Sequence, residues 1–179
     1  MAVSTIVATA GSATANAYVT QSVATQFHLD HPQFGTTAAK GLWSAATSDE
    51  KDAAILWATK LLDRFFIWEG SVVDTIQKLL WPRAGLMNVN GWESLDTTTI
   101  PDQIQWATAE LARQLLMSDR TLDSDIETLG LKLVKAGPIR LDFKEYGVHA
   151  KPIPDAVANL IPRDWGYLRT DGERELLRA

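Results

Sequence analysis

A chain of 179 residues can bury one core, and without cysteine it contains no disulfide, no thiolate zinc ligand and no thiol nucleophile. Its formal net charge of -5 and the lack of any Lys/Arg cluster argue against a protein that holds nucleic acid through phosphate contacts. No apolar segment approaches the roughly 20 residues that span a bilayer, and none forms a signal core, so we expect a soluble, unexported protein with no membrane partner.

The chain begins with an arm, residues 1–17, that is nearly uncharged and rich in Ala, Thr and Ser. Its β-branched stretch Thr5-Ile6-Val7 is compatible with a short strand that needs a neighbour. Thr20 then suits the N-cap of a first helix that ends near Asp30-His31-Pro32. A loop is expected from Phe34-Gly35.

The second helix has the clearest start signal, because Thr47-Ser48-Asp49-Glu50 is a capping box. Its end is predicted near Trp68-Glu69-Gly70, where glycine can adopt a left-handed conformation. The 3.6-residue period predicts a buried face and a solvated face. The buried face comprises Ala54, Trp57, Ala58, Leu61 and Phe65, and the solvated face Asp52, Lys60 and Asp63.

Residues 71–100 have no regular period, but they carry too many large apolar side chains for a solvated linker, which predicts an ordered loop. Within this loop, Pro82 favours extended backbone at Trp81, and Arg83 can stack on an indole or donate hydrogen bonds to backbone carbonyls. We therefore assign Trp81, Pro82 and Arg83 a structural role, a rigid corner that pins the loop over the helices.

Three further elements are predicted after the loop. Pro101 suits the first position of a third helix, whose apolar spacing continues to Leu115. Alternating apolar runs predict a β-hairpin over 130–145, and a short helix is expected between Ile153 and Ile161. The whole pattern predicts a mainly α fold: a small helical bundle with a long ordered loop, one β-hairpin and extended terminal arms. We expect one domain over 1–161 and a tail at 162–179.

The tail combines aromatic, leucine and arginine side chains, a composition typical of interface anchors that order on binding. On this interpretation, deletion of residues 163–179 leaves a folded protein that no longer docks on its partner. The predicted partner contacts are Arg163, Trp165, Tyr167, Leu168, Arg169, Arg174, Leu176 and Leu177.

No set of residues indicates catalysis, and we expect no enzyme activity, no metal and no cofactor. His28 and His31, with Asp30 between them, have no further His or Cys at the spacing of a metal site. The acidic segment 123–127 lacks the glycine and the distal glutamate of a calcium loop. Neither is there a glycine-rich phosphate cradle. Base stacking on the seven tryptophans is an alternative to core packing, which we favour because Trp57 falls on a predicted buried face.

Several segments together resemble one family of tailed-bacteriophage proteins over about residues 1–161. The sequence departs from the family pattern after Pro162 and within the 84–99 loop. Such proteins resemble head-to-tail adaptor (connector) subunits, yet they are often labelled DnaT-like single-stranded DNA binding proteins. The segments are Ala15-Asn16-Ala17-Tyr18-Val19, the helix entry from Trp43 to Asp52, Trp68-x-Gly70, Gln77-x-Leu79-x-Trp81-Pro82-Arg83, Ile100-Pro101 with Ala109, Leu111 and Ala112, and Gly137-Pro138-Ile139.

The two likenesses imply different functions. An adaptor would be a virion protein of the head-tail interface, made in the host cytoplasm, that forms a ring of identical subunits beneath a twelve-fold portal. A stopper or tail protein would lie below, and double-stranded DNA would pass through without specific binding. The alternative is a DnaT-like single-strand binder of replication. We favour the adaptor, because an acidic subunit suits a channel that DNA must cross quickly.

Overall fold

The computed structural model describes residues 3–30, 37–119, 133–136, 139–142 and 151–169. Within them the predicted mainly α fold is confirmed, with five α-helices and three two-stranded antiparallel sheets. The helices are α1 (Gln21–Asp30), α2 (Thr37–Ala45), α3 (Ser48–Phe65), α4 (Asp102–Leu115) and α5 (Asp155–Ala158). The sheets pair β1 (Phe66–Trp68) with β6 (Gly166–Leu168), β2 (Ser71–Val72) with β3 (Arg83–Ala84), and β4 (Leu133–Ala136) with β5 (Ile139–Asp142).

The chain divides into two compact units, one of residues 1–118 and 153–179 and one of residues 119–152. The second unit contains the predicted hairpin, in which β4 pairs with β5 from Leu133 opposite Asp142 to Ala136 opposite Ile139. The first unit contains all five helices together with β6. The segment predicted as a free tail therefore lies, as far as Arg169, within the helical unit.

Helix α4 is the centre of the helical unit. It is buried without interruption from Ala107 to Ala112, because α1, α3 and α5 all pack against it. Thr108 is fully buried here and satisfies its hydroxyl by donating to the carbonyl of Ile104 at 2.7 Å. The helix follows Pro101, as predicted. None of the helices in the described ranges is long and apolar enough to cross a membrane.

Helix α3 begins at the predicted capping box, but two predictions about its faces are wrong. The backbone N–H of Glu50 donates to the Thr47 hydroxyl at 3.3 Å, and the Glu50 carboxylate accepts from the Thr47 backbone N–H at 2.7 Å. Trp57 is 40% exposed, whereas Asp63 is half-buried. The face of α3 that packs against α4 is rotated from the predicted buried face toward Ile55, which is fully buried.

Three further local predictions are corrected. Helix α3 ends at Phe65, before the predicted glycine, because the following three residues form β1. Gly70 is left-handed, with a φ of 70°, but it lies in the turn between β1 and β2. Helix α2 was not predicted, and Thr5-Ile6-Val7 forms no strand. Instead, the Asn16 side chain donates to the carbonyl of Thr5 at 2.9 Å and accepts from the N–H of Val7 at 2.7 Å.

Candidate interaction surface

The predicted corner lies in the core of the helical unit. Trp81 is 1% exposed, and its ring meets Trp68 edge-on at 5.3 Å and Trp165 at 5.6 Å between centroids. Pro82 and Arg83 are also buried. Aromatic contacts at these distances add to the burial of the rings, so the corner joins β1, the loop and the C-terminal segment.

The Arg83 guanidinium donates to four backbone carbonyls. Its Nε reaches Glu69, its Nη1 reaches Leu80 at 3.1 Å, and its Nη2 reaches Trp68 at 3.4 Å and Gly70 at 2.8 Å. A planar fork of five N–H groups is suited to such a set of acceptors. Arg83 therefore ties the β1–β2 turn to the corner, in line with the structural role assigned to it.

A polar pair of Asp63 and Tyr18 lies beside the corner. The Tyr18 hydroxyl donates to the Asp63 carboxylate, and the N–H of Leu80 donates to the same carboxylate at 3.5 Å. Burial raises the pKa of Asp63 to about 6, although these hydrogen bonds and the charge of Arg83 act in the opposite direction. Burial and the neighbouring carboxylate raise the pKa of Tyr18 well above its ordinary value.

This pair predicts a pH dependence of stability. The native Asp63 carboxyl binds its proton more tightly than the unfolded one, so its contribution is present below about pH 4 and is lost as pH rises through about 6. We expect the free energy of unfolding to fall by about 1.3 kcal/mol between pH 5 and 7, measured by urea denaturation. The chain also contains three histidines, a residue type whose ordinary pKa lies in this range, so Asp63→Asn is the control. An equal slope in this variant would contradict the assignment.

Trp165, one of the predicted partner contacts, lies in the core. This residue is 2% exposed and its Nε1 donates to the carbonyl of Met87 at 2.7 Å, so its indole is a core side chain and not an exposed anchor. Arg163 and Tyr167 are exposed, while Leu168 and Arg169 are half-buried beside β1. The remaining predicted contacts, Arg174, Leu176 and Leu177, lie outside the described residues.

Large exposed apolar side chains are concentrated in the loop of residues 71–100. Trp92 is 86% exposed, the highest value among the exposed large hydrophobic residues of the described chain. This residue was not predicted as functional. Seven exposed large apolar side chains in one loop favour an interaction site. The exposed members in the loop are Val72, Val73, Ile76, Leu80, Met87, Val89 and Trp92.

Trp92 is held at the end of an ordered hairpin loop, residues 86–95, called here the Trp92 hairpin. Backbone hydrogen bonds of 2.8 Å join Leu95 to Leu86 and Asn88 to Glu93. The Asn90 side chain accepts from the N–H of Trp92 at 3.0 Å. Leu86 is buried at its base, and Leu95 packs against the core. The exposed indole is therefore displayed by a fixed support.

The segment that contains the Trp92 hairpin carries acidic but no basic side chains. The sequence has no Lys or Arg between Arg83 and Arg113, whereas Glu93, Asp96 and Asp102 are exposed in this interval. Hydrogen bonds from Thr98 lower the pKa of Asp96, so its charge persists at neutral pH. The segment thus exposes both apolar and negative side chains.

The seven tryptophans divide between core and surface. Trp43, Trp68, Trp81 and Trp165 are buried, as the core-packing interpretation predicted, whereas Trp57, Trp92 and Trp106 are exposed. The His28 ring packs at 4.6 Å from the Trp43 ring. In the ranges that the structure describes, no three His, Cys, Asp or Glu residues are grouped to hold a metal. The acidic segment 123–127 lies outside those ranges.

A family model described as "Putative DnaT-like ssDNA binding protein" matches residues 4–172. Searches of curated proteins and of solved structures give no significant match.

Proposed function

The chain belongs to this DnaT-like family, whose model spans nearly its full length, and from that premise we propose that it is a structural adaptor that joins protein surfaces. The observation that carries the proposal is the exposed apolar loop, in which Trp92 lies within an interval, residues 84–112, that has acidic but no basic side chains. Single-strand binders combine aromatic platforms with a positive groove along the backbone. An acidic aromatic surface is better suited to a protein.

The adaptor that we propose is the one implied by the phage resemblance. Identical subunits form a ring under the portal at the head-tail interface of the virion, with a stopper or tail protein below. The net charge of -5 disfavours retention of the double-stranded DNA that passes through. A closed ring needs two different contact faces on each subunit, and the helical unit offers exposed apolar side chains both on the loop and on α1.

Single-stranded DNA binding is the second candidate, and one feature besides the family description favours it. Helix α3 exposes Trp57, Lys60 and Arg64 at a spacing that brings them near one another along the helix. The Lys60 ammonium lies 5.7 Å from the Trp57 ring centroid. An aromatic ring with two cations is a small version of a stacking platform.

A fluorescence titration with labelled oligodeoxythymidine separates the two candidates. We expect no saturable binding at physiological salt, because phosphate binding requires clustered cations whose counterion release supplies the affinity. Tight binding with a steep salt dependence, lost in Trp57→Ala and in Lys60→Glu, would overturn the adaptor proposal in favour of the second candidate. Trp92→Ala is the matched control, since it removes an exposed indole from an acidic surface.

A further inference from the structure

We propose that the Trp92 hairpin is a preorganised docking element, which inserts the indole of Trp92 into an apolar pocket of a partner protein bordered by basic side chains. The proposal rests on the adaptor function for the partner's identity, the portal ring. It adds which part of the chain makes the central contact and what chemistry the partner presents.

The first argument is the combination of exposure and order. A tryptophan that is 86% exposed carries a large apolar surface in water, and such side chains are the commonest dominant contacts of protein interfaces. Val89 is 63% exposed and Met87 48% exposed on the same hairpin, which therefore exposes three large apolar side chains. The hairpin can therefore bury several apolar groups at once.

The second argument is the support beneath the indole. Asn88 accepts from the N–H of Asn90 at 3.1 Å and donates to the Glu93 carboxylate at 3.0 Å, so the turn is closed by its own side chains. Gly91 has a φ of 74°, a conformation that favours glycine in such a turn. At the base, the Trp165 indole donates to the Met87 carbonyl. A contact surface ordered before binding loses less conformational entropy on association.

The third argument is charge, which selects the occupant. Glu93 and Asp96 are exposed and follow Trp92 closely in the chain, and no basic side chain occurs between Arg83 and Arg113 in the sequence. A nucleic acid would bring phosphates toward these carboxylates. A protein pocket with Lys or Arg at its edge complements both the indole and the acidic surround, and such complementarity accelerates encounter.

The test compares the affinities of full-length variants for the purified portal ring of the same genome, by biolayer interferometry. Trp92→Ala is expected to weaken binding on the order of 30-fold or more, as for a dominant interface residue. The control is Met117→Ala, which truncates another large apolar side chain, 62% exposed just after α4, and should leave affinity unchanged. Both variants should have the melting temperature of the wild type. Neutralisation by Glu93→Gln should slow association and reduce its salt dependence.

The outcomes are distinguishable from those of the proposed function. If the wild type binds the portal ring and Trp92→Ala binds equally well, the hairpin proposal is overturned while the adaptor function stands. If the wild type does not bind the portal ring, both the hairpin proposal and the adaptor function are overturned. A benzoylphenylalanine photo-crosslinker at position 92 identifies the occupant. Crosslinks to the portal beside basic residues support the proposal, and crosslinks to DNA or to a second copy of the chain overturn it.

Discussion

Replacement of Trp81 by alanine is expected to lower the free energy of unfolding by about 3 to 5 kcal/mol, because the indole is almost completely buried. The change removes ring contacts with Trp68 and Trp165 and leaves a cavity among three separate segments of the chain. Urea denaturation measures the loss. Trp92→Ala, which removes the same side chain from an exposed position, should leave stability within about 0.5 kcal/mol of the wild type.

Arg83 provides a second test of the same corner. Arg83→Ala leaves carbonyls of the β1–β2 turn without their donor, and Arg83→Lys should not restore them, because an ammonium cannot reproduce the planar fork. If Arg83→Lys and Trp81→Ala both melt at the temperature of the wild type, the corner does not hold the loop.

A chain that ends at Pro162 is expected to lose several kcal/mol of stability, about as much as Trp81→Ala, because it lacks both β6 and the buried Trp165. This expectation reverses the prediction from sequence that residues 163–179 could be removed without loss of the fold. The backbone contacts that disappear include Glu69 N–H to the Trp165 carbonyl at 2.9 Å and Arg169 N–H to the Phe65 carbonyl at 2.8 Å. Thermal melting, monitored by circular dichroism, measures this loss of stability.

The matched control is a chain that ends at Thr170, which retains β6, Trp165 and Arg169. It should keep most of the wild-type melting temperature. Equal melting of the two truncations would mean that Trp165 and β6 contribute little to the helical unit.

The sequence predicts the elements whose signals are local. The capping box at Thr47 and the proline before α4 each specify a helix start within a few residues, since the groups that satisfy the first turn are close in the chain.

Long-range packing explains the predictions that failed. Asp63 was assigned to a solvated face because helical period gives relative orientation, but not which side meets the N-terminal segment that carries Tyr18. Trp165 was assigned to a free tail because its partners, the Trp81 ring and the Met87 carbonyl, lie about eighty residues earlier in the chain. Helix α2 was missed because Gly41 interrupts its helix-forming residues.

Trp92 shows how a candidate site can escape a pattern search. The preceding Asn90-Gly91 pair is typical of a turn. Tryptophan side chains are usually buried, however, and core packing was favoured for all seven of them. Only the fold distinguishes Trp92 from Trp81, because the difference lies in which neighbours reach each ring.

The most direct measurement of the adaptor function is mass photometry of the purified chain mixed with portal rings from the same genome. The adaptor account predicts that the ring gains mass in multiples of the 19.7 kDa subunit until each portal subunit has one copy. A ring of unchanged mass, together with saturable binding of the same preparation to oligodeoxythymidine, would contradict it.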